Sequence, residues 1–236
     1  MNVATPAPEP LWRRVLAEFI GTGLLVAAII GSGIAAQRLS PTDVGLQLLE
    51  NRSATVLALA VLILLFQPVS GAHFNPVVTL ADRVLAARHR LGVIVAYLLA
   101  QIAGAVCGAA LANAMFGVPT TISTKDRVEP GSVVAEVVAT AGLVLLIFGL
   151  TRAGRSVLVV APAVAAYIGA AYWFTSSTSF ANPAVTIGRM FSDTFAGIAP
   201  GSGLWFIGAQ LVGAAIGVGL VLLLFPIRIQ HSKAQP

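Results

Sequence analysis

Two segments of this chain are near copies of each other: SGAHFNPVVTLADR, from Ser70 to Arg83, and SSTSFANPAVTIGR, from Ser176 to Arg189. Each sets Asn-Pro at the head of a short apolar run. Asn is a favoured N-cap because its side-chain oxygen accepts from a free N–H of the first turn. Pro suits the first helical position, where its missing N–H costs nothing. The segments therefore predict two helix starts, one per half: Asn75-Pro76-Val77 and Asn182-Pro183-Ala184. Each run ends after about 11 residues, near Asp82 and Asp193, a length of about 16 Å. That is roughly half the hydrocarbon thickness of a bilayer. Helices so short enter a membrane and return.

The membrane follows from composition. Of 236 residues, 57% are hydrophobic and 10% charged, with a mean hydropathy of +0.90. A soluble domain carries about 25% charged residues. Apolar stretches fall at 11–36, 53–66, 91–116, 132–150, 156–174 and 203–225, and this length leaves no room for a soluble catalytic domain. Non-helical backbone at membrane depth is tolerated only inside protein or along a wet cavity. The two re-entrant segments must therefore lie within a six-helix bundle.

The halves match beyond these loops. Glu18 pairs with Glu136 and Gln101 with Gln210, at offsets of 118 and 109 residues beside 107 for the two Asn. Three spans per half invert the second half relative to the first, which places a site near the midplane. The expected plan is an all-α membrane protein with six transmembrane helices and two re-entrant half-helices in an inverted 3+3 repeat. Residues 1–10 form an N-terminal tail without the pattern of a cleaved signal peptide. Residues 11–116 form the first repeat, with a half-helix at 75–87, and 117–130 connect the repeats. Residues 131–225 form the second repeat, with a half-helix at 182–192, and 226–236 are a C-terminal tail. One side of the membrane receives Arg13, Arg14, Arg83, Arg88, Arg90, Arg152, Arg155, Arg228 and Lys233, the other Arg38, Arg52, Lys125, Arg127 and Arg189. That bias sets both termini in the cytoplasm. Cys107 stands alone in an apolar stretch and reads as a buried structural thiol.

On these residues the chain resembles the major intrinsic proteins, the aquaporins and glycerol facilitators, from about Leu11 to Phe225. The likeness rests on the two boxes, on Ala17–Thr22 at the start of the first span, and on Ser70–Pro76. Val77 departs mildly from the usual Ala of the first box. The resemblance implies an aquaporin-like fold in a bacterial inner membrane, with water and small neutral solutes as permeants, lipid as surroundings and a homotetramer as assembly. In most members an Arg directly follows the second box, where this chain has Val185. Family spacing assigns the other filter positions to Thr55, Ala170 and Ser179, a quartet without an aromatic ring or a charge. It suggests a broad facilitator of glycerol-like polyols and metalloid hydroxides such as arsenious acid. It also resembles a bacterial branch with Val in place of the filter Arg, some members of which are linked to arsenic resistance.

The remaining polar residues admit two readings each. Paired half-helix N-termini repel cations, and Asn75 and Asn182 either offer amide donors to a passing molecule or merely cap their helices. Glu18 and Glu136 act as buttresses for the loops or as proton-coupling carboxylates. His73 lines a pore mouth or gates it. Arg189, one turn beyond Val185, either replaces the missing charge at the outer mouth or anchors at the interface. A water-selective channel and a proton-coupled secondary transporter remain the alternatives. There is no cluster with metal-ligand spacing, no cofactor motif, no nucleophile–base pair and no contiguous basic surface for nucleic acid.

Overall fold

A computed structural model describes residues 9–86 and 90–226. Most of both tails lies outside these residues, as do Ala87 at the end of the expected first half-helix and the cations Arg88, Arg228 and Lys233. The described residues form eight helices: α1 (Leu11–Leu39), α2 (Val44–Ser70), α3 (Pro76–Leu85), α4 (Leu91–Met115), α5 (Pro130–Arg152), α6 (Val157–Phe174), α7 (Pro183–Arg189) and α8 (Pro200–Leu224). All but α3 and α7 are long and apolar enough to cross a membrane. α1, α2 and α5 outrun the apolar stretches that announce them. α2 starts at Val44 because Asp43 caps it, accepting from Leu46 N at 2.9 Å. Its first turns carry Gln47, Glu50, Asn51 and Arg52, which interrupt the apolar pattern but not the helix. Asn51 is buried and donates to Ile29 O at 2.7 Å, so its amide is satisfied inside the bundle.

The repeat is visible in the packing. α1 lies against α4 as α5 lies against α8, and each half-helix packs on the other half: α7 on α4, α3 on α8. Glycines allow the first of these contacts. A Cβ on Gly104 would stand 2.3 Å from Phe19 O, and one on Gly108 would stand 2.1 Å from Gly23 O. Gly213 and Gly217 approach Val137 O and Ala141 O in the same manner. Both small-residue faces thus pack within the chain. Cys107 is exposed on the outside of α4, not buried, because the Gly104 and Gly108 side of that helix is the one turned inward.

The termini share one end of the bundle, where Arg152 donates to Phe225 O and Leu85 O at 2.8 and 3.3 Å. At the far end the segment between α4 and α5 is fastened by Asp193, which accepts from Thr124 N at 3.0 Å and from the Thr124 and Ser123 hydroxyls. These bonds, that of the Thr124 N–H foremost, hold the Asp193 carboxyl below its usual range. A lowered native pKa means that the fastening is complete above the ordinary carboxylate range and is lost only as pH falls through the lower native value. Limited proteolysis across a pH series is therefore expected to find this segment protected through about pH 4 and released under stronger acid. In Asp193→Asn the pH dependence of cleavage should disappear.

Candidate functional site

Both half-helices begin at the centre of the bundle, and their approach loops hold an unfavourable backbone. Ala72 and Phe74 have φ of +52° and +48°, and the matching Ser179 and Ala181 have +52° and +47°. Left-handed conformations at non-glycine residues cost about 1 kcal/mol or more each and persist only where surroundings impose them. Here a buried carboxylate imposes them in each half. Glu18 Oε1 accepts from Ser70 Oγ at 2.6 Å and His73 N at 3.0 Å, and Oε2 accepts from Phe74 N at 2.7 Å and Gln101 Nε2 at 2.8 Å. Glu136 repeats the pattern: Oε1 accepts from Ser177 Oγ at 2.6 Å and Phe180 N at 2.8 Å, and Oε2 from Ala181 N at 2.9 Å and Gln210 Nε2 at 2.6 Å. Each carboxylate is fully enclosed and receives four hydrogen bonds.

These anchors aim the two Asn residues at each other's loop. Asn75 Nδ2 donates to Ala181 O and Asn182 Nδ2 to Phe74 O, both at 2.8 Å. Their Oδ1 atoms cap the half-helices, accepting from Val77 N at 3.1 Å, and from Ala184 N and Val185 N at 3.0 and 3.2 Å. A primary amide has two N–H donors, and both residues line the central cavity. Capping and a donor left for the cavity are therefore compatible. Pro76, Val77, Pro183 and Ala184 are buried in the first turns of α3 and α7.

The cavity has a volume of about 550 Å³. Its lining runs from Arg152 and Arg155 at the terminal end, past Asn75 and Asn182, to Tyr172 and Arg189 at the far end. The walls are mostly aliphatic: Leu59 and Ile63 of α2, Val160, Val164 and Ile168 of α6, with Leu25, Ile29, Leu143 and Ile147. His73 stands at the terminal side, its Nδ1 3.1 Å from Thr79 Oγ1 and its ring edge-on to Tyr97 at 5.6 Å. Asp82 and Arg189, matched by the repeat, line opposite ends of the cavity.

At the far end Thr55, Ser179 and Val185 line the cavity, and Ala170 does not. Ala170 is exposed on the outer side of α6. The inward residues of that helix recur every fourth position, Val160, Val164, Ile168 and then Tyr172, so a projection onto Ala170 falls on the wrong face. Tyr172 is buried and donates to Thr55 Oγ1 at 3.3 Å, joining α6 to α2 at the far end. Tyr172 rather than Ala170 therefore faces the cavity from this turn of α6, which adds an aromatic ring to the lining, and Arg189 stands one turn beyond Val185. Arg189 is 4% exposed and faces the cavity. Its Nε donates to Ala196 O, and its guanidinium carbon lies 3.4 Å from the centre of the Phe180 ring. Of the five cations assigned to this side, Arg52 proves to lie within α2, where it donates to Gly169 O at 3.1 Å. Sequence reasoning missed Tyr172, Phe180 and Arg127; the four-residue stride on α6 would have found the first.

A family model described as Major intrinsic protein matches residues 7–179. The chain is 47% identical over 228 residues to Aquaglyceroporin AqpS of Rhizobium meliloti (strain 1021), covering 96% of each sequence. It is 28% identical over 232 residues to Aquaporin-5 of Sus scrofa, covering 94% of this chain and 84% of the relative. Among solved structures, an aquaglyceroporin from Plasmodium falciparum superposes with a TM-score of 0.71 at 21% identity, covering 90% of this chain and 96% of its own.

Proposed function

Because this chain belongs to the major intrinsic protein family, and is thus a multi-pass membrane channel for small solutes rather than an enzyme, we propose that it passively conducts small uncharged solutes: glycerol-like polyols, metalloid hydroxides such as arsenious acid, and water. The observation that carries this reading is the pair of amides, Asn75 and Asn182, in a cavity whose walls are mostly aliphatic. A solute that is part hydroxyl and part hydrocarbon suits a lining with few donors on apolar walls. Val185 supports the broad range, since an Arg there would fill the far end. The 47% identity to an aquaglyceroporin over nearly the whole chain points the same way.

The same proposal sets the terminal end in the cytoplasm of a bacterial inner membrane and the protein as a homotetramer. The filter of this reading is Thr55, Ser179 and Val185, with Tyr172 in place of Ala170. Glu18 and Glu136 serve as supports, each with all its acceptor positions engaged, which speaks against either of them as a proton-coupling group. A second reading has one specific observation in its favour: the Tyr172–Thr55 bridge narrows the far end, as a water-selective channel requires.

Stopped-flow light scattering on proteoliposomes separates them. Wild type is expected to admit water, glycerol and arsenious acid. Val185→Arg should lower glycerol entry at least tenfold while sparing water. Water flux alone in wild type would remove the broad-facilitator reading and leave the water channel.

A further inference from the structure

We propose that Arg189, at the far end of α7, is the charge-selecting residue of this channel, held in place by Phe180 and doubled by Arg127. This inference rests on the channel reading above and names the residue that keeps cations out. Val185 and Arg189 lie four residues apart on one helix face, so both look into the cavity, with Arg189 about 6 Å nearer the far mouth. The selecting charge is thereby moved outward by one turn from the position after the second Asn-Pro box.

Three observations make Arg189 more than an interfacial anchor. Its side chain is 4% exposed and sits on the Phe180 ring, which is itself buried edge-on against Phe206 at 5.2 Å. Among the described residues its terminal nitrogens have no hydrogen bond; only Nε is engaged, with Ala196 O. Those two nitrogens remain as donors toward the cavity that the residue lines. Nor is its charge neutralised. The ion pair found among the described residues is Arg13 with Glu9, at the other end of the molecule. The carboxylate that acts on it, Glu136, is turned to Ser177, Phe180, Ala181 and Gln210 instead.

A second guanidinium strengthens the field. Arg127 lies 5.7 Å from the centre of the same ring, fixed by Nε to Gly197 O at 2.6 Å and Nη2 to Phe195 O at 2.7 Å. Two like charges beside one ring are stable only because the loop carbonyls at 195–197 hold them. Arg189 thereby rejects ammonium-type cations, against which an unscreened guanidinium a few ångströms away is strongly repulsive.

The test uses the full chain in proteoliposomes with glycerol and methylammonium as probes. Wild type is expected to swell with glycerol and exclude methylammonium. Arg189→Leu should raise the ratio of methylammonium to glycerol entry at least about tenfold, and Arg189→Lys should restore the wild-type ratio. Should Arg189→Leu not yield monodisperse protein, Arg189→Met, which keeps an unbranched chain on the ring, carries the same expectation. A folded Leu or Met variant that excludes methylammonium as wild type does overturns the assignment. Glycerol entry in wild type reads the channel function separately, so normal glycerol flux with unchanged exclusion removes this inference alone. A wild type closed to glycerol removes the reading beneath it.

Discussion

Glu136→Ala is expected to destabilise the protein by at least about 4 kcal/mol, a larger loss than a typical core substitution. The side chain touches no solute, so the reason lies in what it leaves behind. Phe180 N, Ala181 N, the Ser177 hydroxyl and Gln210 Nε2 all donate to this fully buried carboxylate. An orphaned buried donor costs about 1–3 kcal/mol. The anchor also holds Ser179 and Ala181 in left-handed backbone, which would relax once released. Glu136→Gln keeps an acceptor oxygen but turns an NH₂ toward donors, so an intermediate loss is expected. Thermal unfolding in detergent measures all of this, and Glu18→Ala should behave alike because its four partners match. An Ala variant with wild-type stability would refute the buttress. A Gln variant as stable as wild type but dead in flux would instead bring proton coupling forward.

The second large effect is expected at Gly108. Its added Cβ would meet Gly23 O at 2.1 Å, and the obstacle is backbone, which has no rotamer to yield. Gly108→Leu must therefore separate α1 from α4, and overpacking of this kind costs about 3 kcal/mol or more. The damage reaches the channel because α1 carries Glu18 and α4 carries Gln101, which are bonded at 2.8 Å. Glycerol flux and thermal stability are both expected to fall. Gly92→Ala is the control: nothing lies within 4 Å of its added Cβ, and a helical Gly→Ala change in open space is neutral or mildly favourable. Equal behaviour of the two variants would show that the close approach is dispensable.

The sequence made the bundle legible because its strongest signals are local. Asn-Pro is a helix start wherever it falls, and α3 and α7 begin at Pro76 and Pro183. Six apolar runs gave six spans because length and hydropathy decide that question without tertiary information. What stayed hidden depends on helix phase and on contacts distant in sequence. Ala170 and Tyr172 differ by two residues, about 200° around α6, so a small error in spacing exchanged the lipid side for the cavity. Burial of Cys107 was misjudged for the same reason: an apolar helix shows no polar face by which to orient it. The polar start of α2 fell outside the apolar stretch at 53–66 because Asn51 finds its partner across the bundle, at Ile29 O. Phe180, with two guanidiniums beside it, gathers residues from three separate segments, which no local pattern could announce.

The crossed bonds at the centre, Asn75 to Ala181 O and Asn182 to Phe74 O, also impose an order on biogenesis. During synthesis the first half leaves the ribosome with the Asn75 amide and the Phe74 carbonyl both awaiting chain that is not yet translated. More than a hundred residues must follow before either finds its match. The middle of the conduit thus closes only after the second approach loop has been made. Until then each half presents an open polar end to the bilayer interior, and only its inverted counterpart can close it.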